Sequence, residues 1–577
     1  AEIALRGFGE NAHGRTLVLR DGQRLNSPDM GGINWLQIPV GAVSRIEVIE
    51  GPQSVLYGDH ALGGVINIIT HDAALPARTE AGASAASHGT YGANLATRGS
   101  VDRLRYSAGA DWLTSDGYRR NGGYDSVNLR AGIEAAATET LRLIFFGTYD
   151  HLENELPGSL TREQMDADPR QASTPDDKAG SDSGNASLAL QWDVTADQRL
   201  LADLIYNHRR AESDFFSMYN FPESTLDSLT LALRHQLDST LLECPTRLLT
   251  GFDFYLDRLA VDRYSEPERS LLLLDAIVEK YSYGAYLNHE TDLTESLTLT
   301  LGGRIEQARY AADVKAGAGG MLVDDSETHT VSALSASLLY RPVDTLKLYT
   351  TFSTLYRLPF LDEQVSYYGY GSDTFYQDLD PETGTSFEVG GAWRLAPDWT
   401  AEASLYRLDM EDEIAYNPVI HENANLDETC HQGASAALGW QRAGLGAIKA
   451  RYSFTHAEFS SGANDGCRVP LVPRHHFNLA AQARLTTALT LLATLHVSGN
   501  QPVGGDNANS LERLASFTTL DLGLRYQPAR VAGLSLLVGV DNVLDEEYAN
   551  VAYAGFTDTG YYPAPGRTWK GALSYTF

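Results

Sequence analysis

Two polar stretches of the chain hold groups of aromatic side chains with the chemistry to grip a bulky molecule. They lie in residues 214–222 and 366–377, and the candidates among them are Phe215, Phe216, Tyr219, Tyr367, Tyr368, Tyr370, Phe375 and Tyr376. Aromatic rings give a large contact area at a low cost in conformational entropy, so we predict ligand contacts here. The alternative is that they pack loop against loop or form a band at a lipid–water boundary.

A long polar stretch, residues 153–185, has the composition of an exposed loop and is rich in aspartate. Hard cations such as Ca²⁺ bind through several oxygen ligands, so a calcium ion that orders this loop is a candidate cofactor. The alternative is a solvated loop, because the stretch has no EF-hand pattern. The candidate ligands are Asp166, Asp168, Asp176, Asp177 and Asp182.

The three cysteines, Cys244, Cys430 and Cys467, contain no CxxC pair, which argues against a thiolate metal site. Two strand-like runs separate Cys430 from Cys467. If those runs are neighbouring strands, both cysteines lie on the same side of the sheet. We therefore predict a disulfide between them in an oxidising compartment and a free thiol at Cys244.

Several functional classes are disfavoured by the sequence. It contains no HExxH, GxxxxGK[ST] or GxSxG motif, so we expect no enzyme activity. The formal net charge of −31 argues against nucleic acid as a partner, since phosphate contacts need clustered Lys and Arg.

The elements that must position these residues are strands. In residues 519–526 and 534–541 apolar side chains alternate with polar or small ones, and similar runs recur from about residue 77 to the C-terminus. The longest apolar run, residues 271–278, is far shorter than the ~20 residues of a membrane helix. If the chain enters a membrane, it must therefore do so as a closed barrel.

Motifs at both ends and in the middle of the chain resemble those of TonB-dependent receptors of the bacterial outer membrane. Near the N-terminus stand IALRGFG, VLRDGQRLN and IEVIEGPQSVLYGDHALGGVINIIT. The middle carries TFSTLYRLPFLDE and LDPETGTSFEVGGAWRL, and the end carries LLVGVDNVLDEEY and PAPGRTWKGALSYTF.

The resemblance implies an all-β fold: a 22-stranded antiparallel transmembrane β-barrel with a small globular plug in its lumen. We place the plug at residues 1–76 and the barrel at residues 77–577. We also expect that the chain starts partway through the plug, that the TonB box is not among its residues, and that the protein is a monomer in contact with outer-membrane lipid.

In the cobalamin-receptor branch of this family, the segment matching residues 27–37 is an apical plug loop that touches the ligand. The resemblance therefore makes Asp29, Met30, Asn34 and Trp35 candidate contacts, with anchoring of the loop as the alternative for Trp35. Arg20 departs from the family, where an apolar residue is common. Charged residues of the plug, such as Arg6 and Glu50, are expected in ion pairs or at the barrel wall.

The function implied by the resemblance is a receptor and active transporter that binds a metal chelate outside the cell and imports it with energy from the TonB protein. A ferric siderophore is the first expectation, cobalamin the second and haem the third. A passive porin or a surface adhesin is the alternative from another class.

Overall fold

The fold is a small sheet followed by a large closed barrel. It is given by a computed structural model that describes residues 3–70, 76–367, 373–417, 422–555 and 557–577. Within these ranges the barrel has 22 strands, every neighbouring pair is antiparallel, and the last strand closes on the first through pairs such as Tyr575 with Ala81. The predicted fold class is confirmed.

The small domain has four strands in the order β2-β1-β4-β3. The strands are β1 (Thr16–Arg20), β2 (Gln23–Arg24), β3 (Arg45–Glu50) and β4 (Gly64–Ile69), with the helix α1 (Ser54–Tyr57) between β3 and β4. β1 runs parallel to β4 and is buried along its whole length. Its alternate side chains contribute to two apolar clusters, one on each face of the sheet.

The barrel strands within the described ranges are β5 (Arg78–Ala86), β6 (Thr90–Val101), β7 (Leu104–Ser115), β8 (Tyr124–Ala136), β9 (Leu141–Glu155), β10 (Lys178–Thr195), β11 (Gln198–Asp214), β12 (Phe221–Leu241), β13 (Cys244–Tyr264), β14 (Leu272–Thr294), β15 (Leu297–Ala316), β16 (Met321–Val343), β17 (Leu346–Arg357), β20 (Glu382–Ala396), β21 (Trp399–Glu411), β24 (Thr429–Arg442), β25 (Gly446–Phe459), β26 (His475–Arg484), β27 (Leu489–Ser498), β28 (Phe517–Tyr526), β29 (Leu534–Asp541) and β32 (Thr568–Thr576).

Shorter elements lie in the connections between barrel strands. They are the helices α2 (Arg162–Ala167) and α3 (Leu361–Gln364), and the strand pairs β18 (Val365–Ser366) with β19 (Thr374–Phe375), β22 (Ile414–Asn417) with β23 (Glu422–Asn425), and β30 (Ala549–Ala554) with β31 (Thr559–Pro563). Among the helices of the described residues, none has the length and apolar character needed to cross a membrane.

The two ends of the barrel differ in the length of their connections. At one end the turns are short, as between β6 and β7 or between β12 and β13. At the other end the connections are long: residues 156–177 follow β9, and residues 358–381 follow β17. In outer-membrane barrels the long loops face outward, so this end is the outer one.

The predicted alternation along the strands is present at the C-terminal end. Leu522, Leu524 and Tyr526 of β28 are exposed, as is Val538 of the neighbouring β29, whereas Thr519 on the other face is buried. Apolar side chains on the outer surface and small or polar ones inside are what a lipid-facing wall requires.

The small domain fills the lumen as a plug, because polar contacts join it to barrel strands from β9 to β25. These contacts are Arg20–Thr148 (β9), Gln23–Ser187 (β10), Asp29–Arg209 (β11), Asp59–Lys280 (β14), Arg6–Glu388 (β20) and Glu50–Arg451 (β25). The expectation that plug charges are paired or lie at the barrel wall is confirmed by Arg6 and Glu50. β4 ends at Ile69 and the first barrel strand begins at Arg78.

Candidate functional site

A cavity of about 950 Å³ lies between the plug and one side of the barrel wall. Its floor is plug residues 23–37, and its wall is formed by β8 to β15. The β9 residues that line it run from Thr148 to Glu155, where β9 meets its long outer connection. The cavity therefore lies on the outer side of the plug, and its volume suits a molecule of several hundred daltons.

The β1–β2 hairpin brings two arginines to the cavity floor. Its turn, Asp21–Gly22, has positive φ at both residues (52° and 83°), which Asp-Gly accommodates. Arg20 donates to the carbonyl oxygen of Gln37 (3.4 Å) and to Oγ1 of Thr148 (3.1 Å). The Arg24 guanidinium lies 4.7 Å from the centre of the Tyr255 ring, a cation–π distance.

The loop above this hairpin is held by a partly buried ion pair. Arg209 of β11 binds the Asp29 carboxylate and also donates to Oγ of Ser27 (3.1 Å). Burial alone would raise the pKa of Asp29, but the Arg209 charge and hydrogen bond outweigh it and bring this pKa below its usual value. Burial and the nearby Asp29 charge raise the pKa of Asp362 to about 8, and Asp362 accepts a hydrogen bond from the Met30 amide (2.8 Å).

A second buried group closes the far side of the floor. Lys280 of β14 lies 3.2 Å from Asp59, and His60 lies 3.5 Å from the same carboxylate. Burial lowers the pKa of His60 to about 3, so the ring is neutral at physiological pH. The charges left at this point are the Asp59 carboxylate and the Lys280 ammonium, which neutralise each other.

Of the four predicted plug contacts, two line the cavity and two lie beside it. Asn34 and Trp35 line it. Asn34 also caps the turn Trp35–Gln37, and Trp35 packs on the apolar cluster of the plug, so Trp35 has the anchoring role as well. Asp29 is buried in its ion pair, and Met30 is exposed outside the cavity lining.

The described members of the aromatic groups lie in the outer loops, away from the cavity lining. Phe216 packs edge-on against Phe221 at 5.2 Å, Phe215 precedes it, and Tyr219 is 76% exposed. In the second group Phe375 is buried in an apolar cluster that the connection after β17 forms with inward-facing side chains of β12 to β16. Tyr367 packs against this cluster, and Tyr376 is half-buried. Tyr368 and Tyr370 lie outside the described residues. Packing against the inner wall of the barrel and against other loop residues accounts for the buried members, and ligand contact by these residues stays a prediction.

The five aspartates proposed for calcium do not form one group, and Asp177 is buried. Asp168 pairs with Arg120 at 2.9 Å, Asp177 accepts hydrogen bonds from Ser217, and Asp182 accepts them from Tyr149 and His151. Asp166 and Asp176 are exposed. Across the described part of the chain, no three His, Cys, Asp or Glu side chains come together as a metal site. Calcium binding therefore stays a prediction without a preformed site.

The predicted disulfide between Cys430 and Cys467 is not formed, because all three cysteines, Cys244 included, are free thiols. Cys430 and Cys467 do lie on the same side of the barrel. However, Cys430 is buried in β24 opposite Asp409 and Glu458. The Sγ atom of Cys467 instead donates to the carbonyl oxygen of Ala508 (3.6 Å) in the next outer loop. The fold of residues 460–474 directs the two thiols to different neighbours.

The plug is also fixed to the barrel by a buried ionic cluster, which we call the clamp cluster: Arg15, Arg357, Glu363, Glu382 and Glu413. Arg15 of the plug lies 2.9 Å from Glu382 and 3.5 Å from Glu413. Arg357 lies 2.5 Å from the same Glu382 and 2.7 Å from Glu363. Glu382 and Arg357 are completely buried, so the cluster excludes water.

Sequence reasoning missed most of the cavity wall. Arg24, Tyr255, Asp257 and Lys280 line the cavity and were not predicted. Arg20 could have been recognised as a lining residue, since it is a charged residue at a position where the family commonly has an apolar one. The sequence could identify the strand residues of the wall only as inward-facing. Many other inward-facing positions lie above or below the cavity.

Comparison with known families covers most of the chain. The sequence model described as "TonB dependent receptor-like, beta-barrel" matches residues 135–543, and that described as "TonB-dependent Receptor Plug Domain" matches residues 1–65. These families are receptors and transporters, so enzyme function is excluded at the level of the family.

Two curated relatives and one crystal structure show the range of similar proteins. The chain is 25% identical to an iron-regulated outer membrane virulence protein of Vibrio cholerae, over 97% of this chain and 85% of that protein. It is 26% identical to the vitamin B12 transporter BtuB of Vibrio vulnificus, over 72% and 62%. The unliganded ferric citrate transporter FecA has the same fold, with a TM-score of 0.86, 20% identity, and coverage of 99% of this chain and 90% of FecA.

The matches to both family models, the closed barrel and the plug in its lumen all indicate the same family. The chain belongs to the TonB-dependent receptors, which are β-barrel proteins of the bacterial outer membrane.

Proposed function

We propose that this receptor binds a ferric siderophore in the 950 Å³ cavity and carries it to the periplasm with energy from TonB. The observation that supports this most is the position of the cavity. It lies on the outer side of the plug, and plug and barrel wall together form its lining, so a rearrangement of the plug changes the site directly.

Iron is the first candidate metal. The Vibrio cholerae relative that aligns with 97% of this chain is described as iron-regulated. Mixed polar and aromatic lining, with Asn34, Trp35 and Tyr255, suits the oxygen-rich and apolar surfaces of an organic iron chelate.

Cobalamin is the second candidate, because a vitamin B12 transporter is among the relatives and aligns with 72% of this chain. The two candidates are separable by direct binding. Purified receptor in detergent is titrated with ferric hydroxamates, ferric catecholates, haem and cobalamin, with Trp fluorescence or calorimetry as the readout. Saturable binding of an iron chelate alone supports the first candidate; binding of cobalamin alone replaces it with the second.

Energy coupling is tested by uptake. Cells that express the receptor are given the radiolabelled iron chelate, with an isogenic strain lacking TonB as the control. Binding to both strains with uptake only in the first supports active transport. Equal uptake in both strains, together with ohmic conductance of the purified protein in planar bilayers, indicates a passive porin. Binding to neither strain, with attachment of the cells to a surface, indicates an adhesin.

A further inference from the structure

A second cavity, of about 340 Å³, lies between the plug and the inner half of the barrel wall. We call it the inner chamber. Its plug residues are 41–44 and Thr70, and its wall is formed by β5 to β9. The lining includes Gly99 and Arg105, on either side of the short turn between β6 and β7, so this cavity lies toward the inner end of the barrel.

A narrow space of about 10 Å³, which we call the neck, lies between the binding cavity and the inner chamber. It has room for about one water molecule. The neck shares four lining residues with the binding cavity: Arg20, Gln37, Thr148 and Asp150. It shares four others with the inner chamber: Ala42, Thr70, Arg130 and Phe146. One side of the plug is therefore bordered by a series of spaces that leads from the binding cavity toward the inner end.

The wall residues of the neck face the lumen. Thr148 and Phe146 of β9 belong to one phase of the strand, and Phe145 and Tyr149 of the other phase are exposed on the lipid-facing side. Successive side chains of a strand point to opposite faces. The neck is therefore a space between plug and wall, inside the barrel.

Arg20 fills the neck from the plug side. It is the last residue of β1, it is buried, and it has the longest side chain among the plug residues that line the neck. Its guanidinium donates to Oγ1 of Thr148 (3.1 Å), which is a neutral group, and the wall charges of Asp150 and Arg130 act on it with opposite signs. Losing one such hydrogen bond costs much less than breaking buried ion pairs like those of Arg15 in the clamp cluster.

The neck is connected to the floor of the binding cavity by the turn Trp35–Gln37. Trp35 lines the cavity, and the carbonyl oxygen of Gln37 in the same turn accepts a hydrogen bond from Arg20 (3.4 Å). A ligand that displaces this turn therefore moves an acceptor that holds the Arg20 side chain.

We propose that the ligand passes to the inner end of the barrel along the β5–β9 side of the plug, and that Arg20 closes this route in the resting receptor. The inference rests on the proposed function and adds a path and a closing residue to it. The volume of one arginine side chain does not admit a chelate. Plug residues 37–42, which border the neck and the inner chamber, must therefore move as well when TonB pulls on the plug.

The closing role of Arg20 is tested without any ligand. R20A and R20S shorten this side chain, and we expect either variant to raise the ohmic conductance of the purified receptor in planar bilayers severalfold, because an open neck admits water and ions. R20K keeps most of the side chain and should conduct like the wild type. R45A is the matched plug control, since Arg45 lies on the exposed strand β3 and lines neither the two cavities nor the neck. Wild-type conductance in R20A and R20S, or an equal rise in R45A, overturns the role of Arg20.

The route is tested in cells by the access of a thiol reagent to two matched positions. Ala96 of β6 lines the inner chamber. Ser404 of β21 is buried, lies across the barrel, and is as many residues from the inner end of its strand as Ala96 is. Cells with A96C or S404C are treated from outside with a maleimide too large for porins. Peptide mass spectrometry measures the label at the introduced cysteine, so the native thiols stay in place.

With excess iron chelate and with TonB present, we expect A96C to be labelled severalfold faster than without the chelate or without TonB, and S404C at an unchanged rate. Uptake of the chelate with faster labelling of S404C alone, of both cysteines or of neither overturns the route and leaves the proposed function standing. Absence of binding and uptake for every iron chelate, for haem and for cobalamin overturns the proposed function and the route with it.

Discussion

The plug meets the barrel in two contrasting ways on its two sides. On one side, which we call the clamped side, Arg15 and the rest of the clamp cluster form ion pairs without water, and Arg15 is 2% exposed. On the other, the open side, a 950 Å³ cavity separates much of plug residues 23–37 from β8 to β15. There the floor reaches the wall through separate contacts, namely the ion pairs Asp29–Arg209 and Asp59–Lys280 and hydrogen bonds such as Gln23–Ser187 (2.7 Å).

The difference shows how one small domain both stays in place and remains available to a ligand. Removing one partner from a buried ion pair leaves an uncompensated charge and is costly, whereas losing a solvated hydrogen bond costs little. The clamped side therefore contributes most to the position of the plug, and the open side carries the proposed binding site.

The largest effect is expected from E382Q on the clamped side. This change weakens the pairs that Glu382 makes with Arg15 and Arg357 and leaves them Glu413 and Glu363, so we expect the free energy of unfolding to fall by about 2–3 kcal/mol. Chemical denaturation of the detergent-solubilised protein, followed by circular dichroism and by proteolysis of the plug, measures it. The matched open-side control is Q23A, expected to change stability by less than about 1 kcal/mol. Equal losses in both variants would remove the distinction between the two sides.

A smaller and different effect is expected from W35L on the open side. Leucine keeps apolar packing against the plug but withdraws the ring from the cavity, so we expect chelate affinity to fall about tenfold. Titration of the preferred iron chelate measures it. W393L is the control, because Trp393 of β20 is 52% exposed and lies outside the cavity lining. Affinity that is unchanged in W35L would show that the ligand does not reach the floor.

A pH effect is expected from Glu10, which accepts a hydrogen bond from the Gly505 amide (2.6 Å). Burial raises the pKa of Glu10 from 4.5 to about 7. The folded protein therefore holds this proton at pH values where the unfolded chain has lost it, and its stability falls as the pH rises from about 4.5 to 7.

E10Q carries no titrating group at this position, so we expect that part of the pH dependence to disappear. Denaturant midpoints at pH 4.5, 6 and 7.5 measure it, with E139Q in the short turn between β8 and β9 as the control. An identical slope in wild type and E10Q would contradict the assignment.

The smallest effect concerns the thiols, which are free and so should be insensitive to reductant. We expect dithiothreitol to leave the denaturation midpoint unchanged. In the native protein, partly exposed Cys467 should react with a maleimide faster than buried Cys430. Protection of both thiols until reduction, detected by mass spectrometry, would restore the predicted disulfide.

The sequence was sufficient for the architecture because each part of it has a local signal. Alternation of apolar and polar side chains identifies a strand with one lipid-facing side, as in β28, and the terminal motifs identify the plug and the closing strand. The family resemblance gave the number of strands.

The site was predicted less completely, because its lining depends on how far along the barrel axis each inward-facing residue lies. Trp35 and Asn34, which line the cavity, could be singled out because they lie in one short plug loop, and their contact with a ligand stays a prediction. Tyr255 and Lys280 come from different strands and meet the plug only through the register of β13 and β14. The predicted disulfide between Cys430 and Cys467 was wrong for a related reason. Both cysteines lie at the same end of the barrel, but the conformation of the loops decides which atoms meet.

Glu382 belongs to the barrel yet holds one arginine from each domain. If the plug leaves this position, the Arg15 pair is lost, but Arg357 keeps both Glu382 and Glu363 on the barrel side. The contact between the two domains can therefore break and form again without stranding the Glu382 carboxylate.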